Sequence, residues 1–277
     1  MAATALNQKG REWREWILSN LENACTQECM LKLMVPTFTQ EQALMALREA
    51  REFLYSPALN RPLINVTTNT VDLGDIVAKV VFKLINPHIV VIDNVLAADE
   101  CDQLLQMAIA KNIAPSTVVH IDSGDSVLGD YRTSSGCCFS RAETALTGNL
   151  ERRLSILNAW PLENGEGIQV LQYQVGQQYK PHFDYFDPKN SGSSKHLKRG
   201  GQRVGTFVVY LSDVEEGGST SFPDLGLDVY PRKGSAVYFS SVDESGKPCL
   251  LTRHAGTPVI SGVKTVATYW QRERVYR

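Results

Sequence analysis

The chain has 277 residues, 43% of them hydrophobic and 21% charged, with a formal net charge of −2. That balance suits a globular protein with a substantial core and supplies no global positive field for nucleic acid or an anionic membrane. No window approaches the ~20 apolar residues of a membrane span, and six cysteines (25, 29, 101, 137, 138 and 249) are too sparse for a disulfide scaffold and lack zinc-finger spacing, so they read as structural or incidental.

The N-terminal run MAATALNQKGREW is too short in apolar residues for a secretory leader, which makes cytoplasmic the expected location. Residues 11–25 place Trp13, Trp16, Ile17, Leu21 and Ala24 at helical spacing. A second helix is expected over 40–55, with Thr39 as N-cap and Gln42 completing a capping box. Pro36 separates the two helices. The stretch VDLGDIVAKVVFKL within 63–85 suits a helix or a strand equally, and residues 1–85 are read as a mostly helical extension. Such amphipathic helices usually bury a face as a buttress; a homodimer contact or substrate docking is the alternative.

From residue 86 the texture changes. HIVVIDNV (88–95) is β-branched and apolar, as a buried strand requires. Leu96 to Lys111 reads as a helix entered near Asp99, and 140–157 carries the stripe Leu146, Leu150, Leu154 and Leu157. After 167 come eight short segments with strand character, IQVLQYQV, QYKPHFDYF, RVGTFVVYLSD, GSTSF, LDVYP, GSAVYFS, RHAGTPV and KTVATYWQRE, broken by glycine and proline. Eight such strands argue for a double-sheet jelly roll. Between the second and third lies 187–202, polar and locally basic, a mobile lid or a solvated loop.

His182 and Asp184, two apart, share a face if the strand is extended. With His254 they would form a two-His-one-carboxylate set, the arrangement that leaves open positions on non-haem Fe(II). Lys264 offers a cation for the far end of a dicarboxylate. His88, in an apolar strand, and His196, in a polar loop, are not assigned to this set.

The stretches RVGTFVVYLSDVEEGGSTSFPDLGLDVYPRKGSAVYFS, QVLQYQVGQQYKPHFDYF and TRHAGTPVISGVKTVATYWQRER resemble the prolyl 4-hydroxylase family of Fe(II)/2-oxoglutarate dioxygenases. The likeness runs over roughly 88–274 and is densest in 168–274. It implies an α+β fold with a double-stranded β-helix (jelly roll) core, supporting helices and a domain spanning 86–277. It also implies His182, Asp184 and His254 as iron ligands, with Lys264 and Tyr173 on the distal 2-oxoglutarate carboxylate and Thr206 lining the co-substrate pocket. Arg132, in Tyr131-Arg132-Thr133-Ser134, and Trp270 would face the substrate. The implied activity is hydroxylation of prolyl residues in a peptide or protein, using Fe(II), 2-oxoglutarate, O2 and ascorbate and releasing succinate and CO2. Compact bacterial-type members are the nearer analogy, and collagen is a doubtful substrate. A hydroxylase of a free amino acid or small metabolite, or a jelly-roll binding protein without turnover, remains open.

Overall fold

The computed structural model describes residues 9, 11–22, 25–55, 61–64, 68–119, 122–127 and 129–277. The chain forms two compact units, Met1–Asn60 and Arg61–Arg277.

The first unit holds α1 (Arg11–Glu22), α2 (Gln27–Met34) and α3 (Gln40–Tyr55). Thr39 and Gln42 make the expected reciprocal cap, with Thr39 N–H donating to Gln42 Oε1 at 3.1 Å and Gln42 N–H to Thr39 Oγ1 at 3.2 Å. The sequence reading missed α2. Its signal is short, a Thr26 cap bonded to Cys29 N–H and one apolar pair, Met30 and Met34. These pack with Ile17, Phe38, Ala46 and Leu47 into a small core of their own.

The second unit begins with β1 (Thr70–Asp72), β2 (Val77–Leu84) and β3 (Ile89–Asp93), followed by α4 (Ala98–Ala110). Residues 70–84, grouped above with the helical extension, are therefore strands. β2 pairs with β3 through Lys79↔Asp93 to Leu84↔Ile89, and a bulge near Val81 obscures its alternation. Next come β4 (Ala114–Pro115), β5 (Val118–Val119), β6 (Ser126–Val127), β7 (Ser135–Phe139), α5 (Ala145–Asn158), β8 (Gly165–Tyr173) and β9 (Tyr179–His182). The chain continues with α6 (Ser193–Lys198), β10 (Arg203–Tyr210), β11 (Glu216–Gly217), β12 (Thr220–Phe222), β13 (Leu227–Val229) and β14 (Ala236–Ser240). It closes with β15 (His254–Gly256), β16 (Val259–Ser261) and β17 (Lys264–Arg272). No helix among the described residues is long and apolar enough to cross a membrane.

A nine-stranded sheet runs β1-β2-β3-β14-β10-β17-β8-β7-β4, and a four-stranded sheet runs β13-β12-β15-β9. The pairings are antiparallel, and the mixed, mostly antiparallel architecture is consistent with a jelly roll. Strand alternation sorts the large sheet into two faces. Phe207 and Val209, with Ala267 and Tyr269, turn to Leu104, Leu150 and Leu154 of α4 and α5. Val208, Tyr210, Leu171 and Val266 turn instead to Phe222 and Val229 of the small sheet. Helices thus cover one face, and the space between the sheets is left for the site.

Candidate active site

His182 ends β9 and His254 opens β15, and the two residues are direct register partners. Seventy-two residues of separation collapse into one cross-strand pair. The ring centroids lie 4.2 Å apart. Asp184 stands just past the end of β9, in a bend rather than on the continuous strand that the two-residue spacing suggested. Its Oδ1 is 3.7 Å from His182 Nε2 and its Oδ2 is 3.7 Å from His254 Nε2. The ligand-type atoms of all three residues fall within 4.8 Å of one another.

The protonation states suit metal ligation. Burial, reinforced by the neighbouring His254, pushes His182 down to about 3, so its imidazole is neutral at physiological pH. Burial alone would raise Asp184, but His254, His182, Arg203 and a bond from Thr206 outweigh it and bring the carboxyl to about 2. Each Nδ1 meets a backbone carbonyl two residues upstream, Lys180 O at 2.8 Å and Thr252 O at 3.0 Å, which leaves both Nε2 atoms facing Asp184. Two imidazoles beside an ionised carboxylate, with His182 neutral, are the donor set a divalent iron takes.

Lys264 lines the same pocket. It is 3% exposed, and its Nζ has one hydrogen bond among the described residues, a long 3.4 Å contact to Ser219 O. Tyr173 and Tyr210 present ring faces at 5.6 and 6.0 Å. No carboxylate among the described residues pairs with it, and burial lowers its pKa to about 7. A buried amine without a counter-charge is costly unless an anionic ligand supplies one.

Tyr173, the cross-strand partner of Lys264, lines the pocket as expected. Arg132 also lines it, and is 6% exposed rather than a surface residue. It donates to Ser134 Oγ and Gln169 Oε1, both at 3.2 Å, and sits over the Tyr179 ring. Trp270 is in the wall with the Arg203 guanidinium 4.0 Å above its ring, and its buried Nε1 has no partner among the described residues. Thr206 departs from expectation. It is fully buried and not part of the pocket lining, and its hydroxyl donates to Asp184 Oδ2 at 2.8 Å.

The sequence reading missed Tyr179, which stacks on His182 at 3.5 Å and 19°. Three residues apart on an ideal strand face opposite ways. The β9–β15 register, however, matches His182 to His254 and Tyr179 to Gly256, so β9 carries one extra residue, and that bulge turns Tyr179 to the His182 side. Arg203 was missed as well; it forms a two-point pair with Glu166 at 2.7 and 2.8 Å.

The two unassigned histidines have other duties. His88 accepts from Ile64 N–H at 3.1 Å, and burial lowers its pKa to about 4. His196 stacks on Phe186, and its Nε2 lies 2.8 Å from Gly124 O. The 187–202 segment carries α6 and is tied to residues 122–125 by that contact, by Ser191 Oγ to Asp122 O and by Lys195 to Asp125.

Known proteins match this arrangement. The profile of the 2OG-Fe(II) oxygenase superfamily covers residues 168–272, which hold the three ligand-type residues and Lys264. Prolyl 4-hydroxylase 1 of Arabidopsis thaliana is 39% identical over 204 residues, covering 68% of this chain and 70% of that protein. Prolyl 4-hydroxylase 2 of the same plant is 37% identical over 205 residues, covering 66% of this chain and 67% of that protein. Among solved structures, the viral collagen prolyl hydroxylase of Paramecium Bursaria Chlorella virus-1 in complex with 2OG is 31% identical, with a TM-score of 0.53. That match covers 66% of this chain and 94% of the viral one.

Proposed function

We propose that this chain, which belongs to the prolyl 4-hydroxylase family of 2OG-Fe(II) oxygenases, hydroxylates prolyl residues of a peptide or protein and converts 2-oxoglutarate and O2 to succinate and CO2. The observation that carries the reading is Lys264: a buried amine with no carboxylate partner among the described residues, in the same pocket as the His182, Asp184 and His254 cluster. A small dicarboxylate whose other end reaches the triad resolves both at once.

His182, Asp184 and His254 would hold the iron and leave coordination positions free. Bound Fe(II) supplies the oxidative chemistry that puts one atom of O2 into the substrate C–H bond and the other into succinate. The chain's own residues do the remaining work. Lys264 and Tyr173 fix the distal carboxylate. The packed strand walls, including Leu171, Val208 and Val266, keep bulk water from the reacting end. Arg132 and Trp270 line the pocket, and among the described residues Arg132 has no acidic partner and Trp270 Nε1 no hydrogen-bond partner. Both suit the carbonyl oxygens of a peptide. Ascorbate completes the set as the reductant. The two facing sheets are read as the double-stranded β-helix, and the three-helix unit as its accessory.

The test is succinate release by the Fe(II)-loaded chain with a proline-rich peptide, with free L-proline and with neither, using Asp184→Ala as control. Peptide-stimulated succinate together with a one-oxygen mass gain supports the reading, and Asp184→Ala should fall to background. Stimulation by free proline alone moves the activity to a small metabolite. No succinate under any condition rejects it.

A further inference from the structure

The three ligand-type side chains are not held in the same way. His182 and His254 sit at the ends of two paired strands, and each is oriented by a backbone carbonyl of its own segment. Those carbonyls come with the fold, whatever side chains Lys180 and Thr252 carry. Asp184 lacks that support. It lies beyond β9 in a bend, and its distances to the imidazole Nε2 atoms, 3.7 Å each, are too long for hydrogen bonds. Among the described residues its one hydrogen-bond donor is the Thr206 hydroxyl at 2.8 Å, reaching across from β10.

Thr206 is well placed to be rigid. It is 0% exposed, in a central strand, opposite Phe239 of β14 and Trp270 of β17. Its β-branched side chain has few rotamers open to it there. The hydroxyl is turned to the pocket side, as Val208 and Tyr210 are, but stops at the carboxylate instead of lining the cavity.

From this geometry we infer that Thr206 is a positioning residue for the metal-ligand carboxylate: its hydroxyl fixes the Asp184 plane so that the oxygens face His182 Nε2 and His254 Nε2. The inference rests on the metal reading proposed above. Without the donor the carboxylate turns about its side-chain bonds, and the site loses preorganisation rather than a ligand. Partners that orient metal ligands typically contribute 10–100-fold in metal affinity, roughly the size of effect expected here.

Thr206→Val removes the hydroxyl at nearly constant volume, and Thr206→Ser keeps it while deleting a methyl group. Mn(II) affinity of the metal-free full chain is measured for the parent and both variants, along with the melting temperature without metal. Thr206→Val should weaken Mn(II) binding by about 10–100-fold, and Thr206→Ser should stay near the parent. Should the Val variant not fold, Thr206→Ala against Thr206→Ser makes the same comparison. Parent-like affinity in Thr206→Val, or an equal loss in Thr206→Ser, overturns the inference and leaves Thr206 a packing residue. His254→Ala serves as a separate control: if it binds Mn(II) as tightly as the parent, the metal reading itself is wrong.

Discussion

The two faces of the large sheet treat buried charge differently. On the helix-covered face, Arg153 of α5 is 4% exposed and fully matched, donating to Glu100, Asp75 and Val95 O at 2.7 to 3.1 Å. Asn158 and Gln271 exchange amide bonds on the same side. On the pocket face, among the described residues, Lys264 has one long contact to a carbonyl and Arg132 no acid, and a carboxylate sits between two imidazoles. The residues of both faces are comparably buried, so burial does not distinguish them. What differs is completion. The helix side satisfies its charges internally and serves stability; the pocket side leaves them for ligands. Unmet polar groups of this kind mark functional sites.

Three measurements press on that contrast. The largest effect is expected from Lys264→Met. Removing one partner of a buried charge pair costs about 2–5 kcal/mol, so 2-oxoglutarate affinity should fall by roughly 30- to 4,000-fold. The ligand-free protein should become more stable, because a buried amine without a counter-charge has been replaced by an apolar chain of similar length. A variant destabilised without ligand would show that Lys264 is satisfied by the fold itself. Calorimetry for affinity and thermal unfolding for stability decide the point.

The next effect is a pH dependence. Lys264 has a pKa of about 7 in the folded protein against an ordinary value of 10.5. Between those values the unfolded chain binds the extra proton, so this residue makes stability of the ligand-free protein rise with pH from about 7 upward. Binding of the dicarboxylate requires the cation, which has the opposite consequence for affinity. Above pH 7 the dissociation constant for 2-oxoglutarate should rise by about tenfold per pH unit. A flat affinity between pH 7 and 9 would show that the amine is already charged before ligand arrives.

The smallest effect concerns the exception on the helix side. Glu151 of α5 is 0% exposed; Oε2 accepts from Ala142 N–H at 3.0 Å and Oε1 has no partner. Burial raises its pKa to about 7. The unfolded carboxyl ionises near 4.5 and the folded one later, so stability should drop as pH climbs from 4.5 to 7 and stay lower above. Glu151→Gln should remove that drop and be more stable at pH 8 by about 1–2 kcal/mol, read from denaturant melts at pH 4.5 and 8. If the variant gains nothing at pH 8, a partner for Oε1 exists and the helix face is complete after all.

Much of this could be read locally. The short segments after 167, broken by glycine and proline, became β8, β9, β10, β12, β13, β14, β15 and β17, and the Leu146–Leu157 stripe became α5. The Thr39–Gln42 cap formed as its spacing demands. That His182, Asp184 and His254 come together, with Lys264 in the same pocket, was likewise legible, because residue types that bind metal or an anion are few and their order is distinctive. Local signals fail where an irregularity intervenes. The bulges near Val81 and in β9 hid a strand and the stacking of Tyr179, since one extra residue inverts every later side-chain direction.

Residue type and spacing therefore determined what chemistry this protein can carry and most of the elements that carry it. The tertiary structure alone decided who neighbours whom. It set His254 opposite His182, moved Thr206 from the pocket wall to the Asp184 carboxylate, and withheld an acid from Lys264. Such pairings depend on strand register and on which groups are absent from a cavity, and both are properties of long-range packing that no stretch of sequence contains by itself.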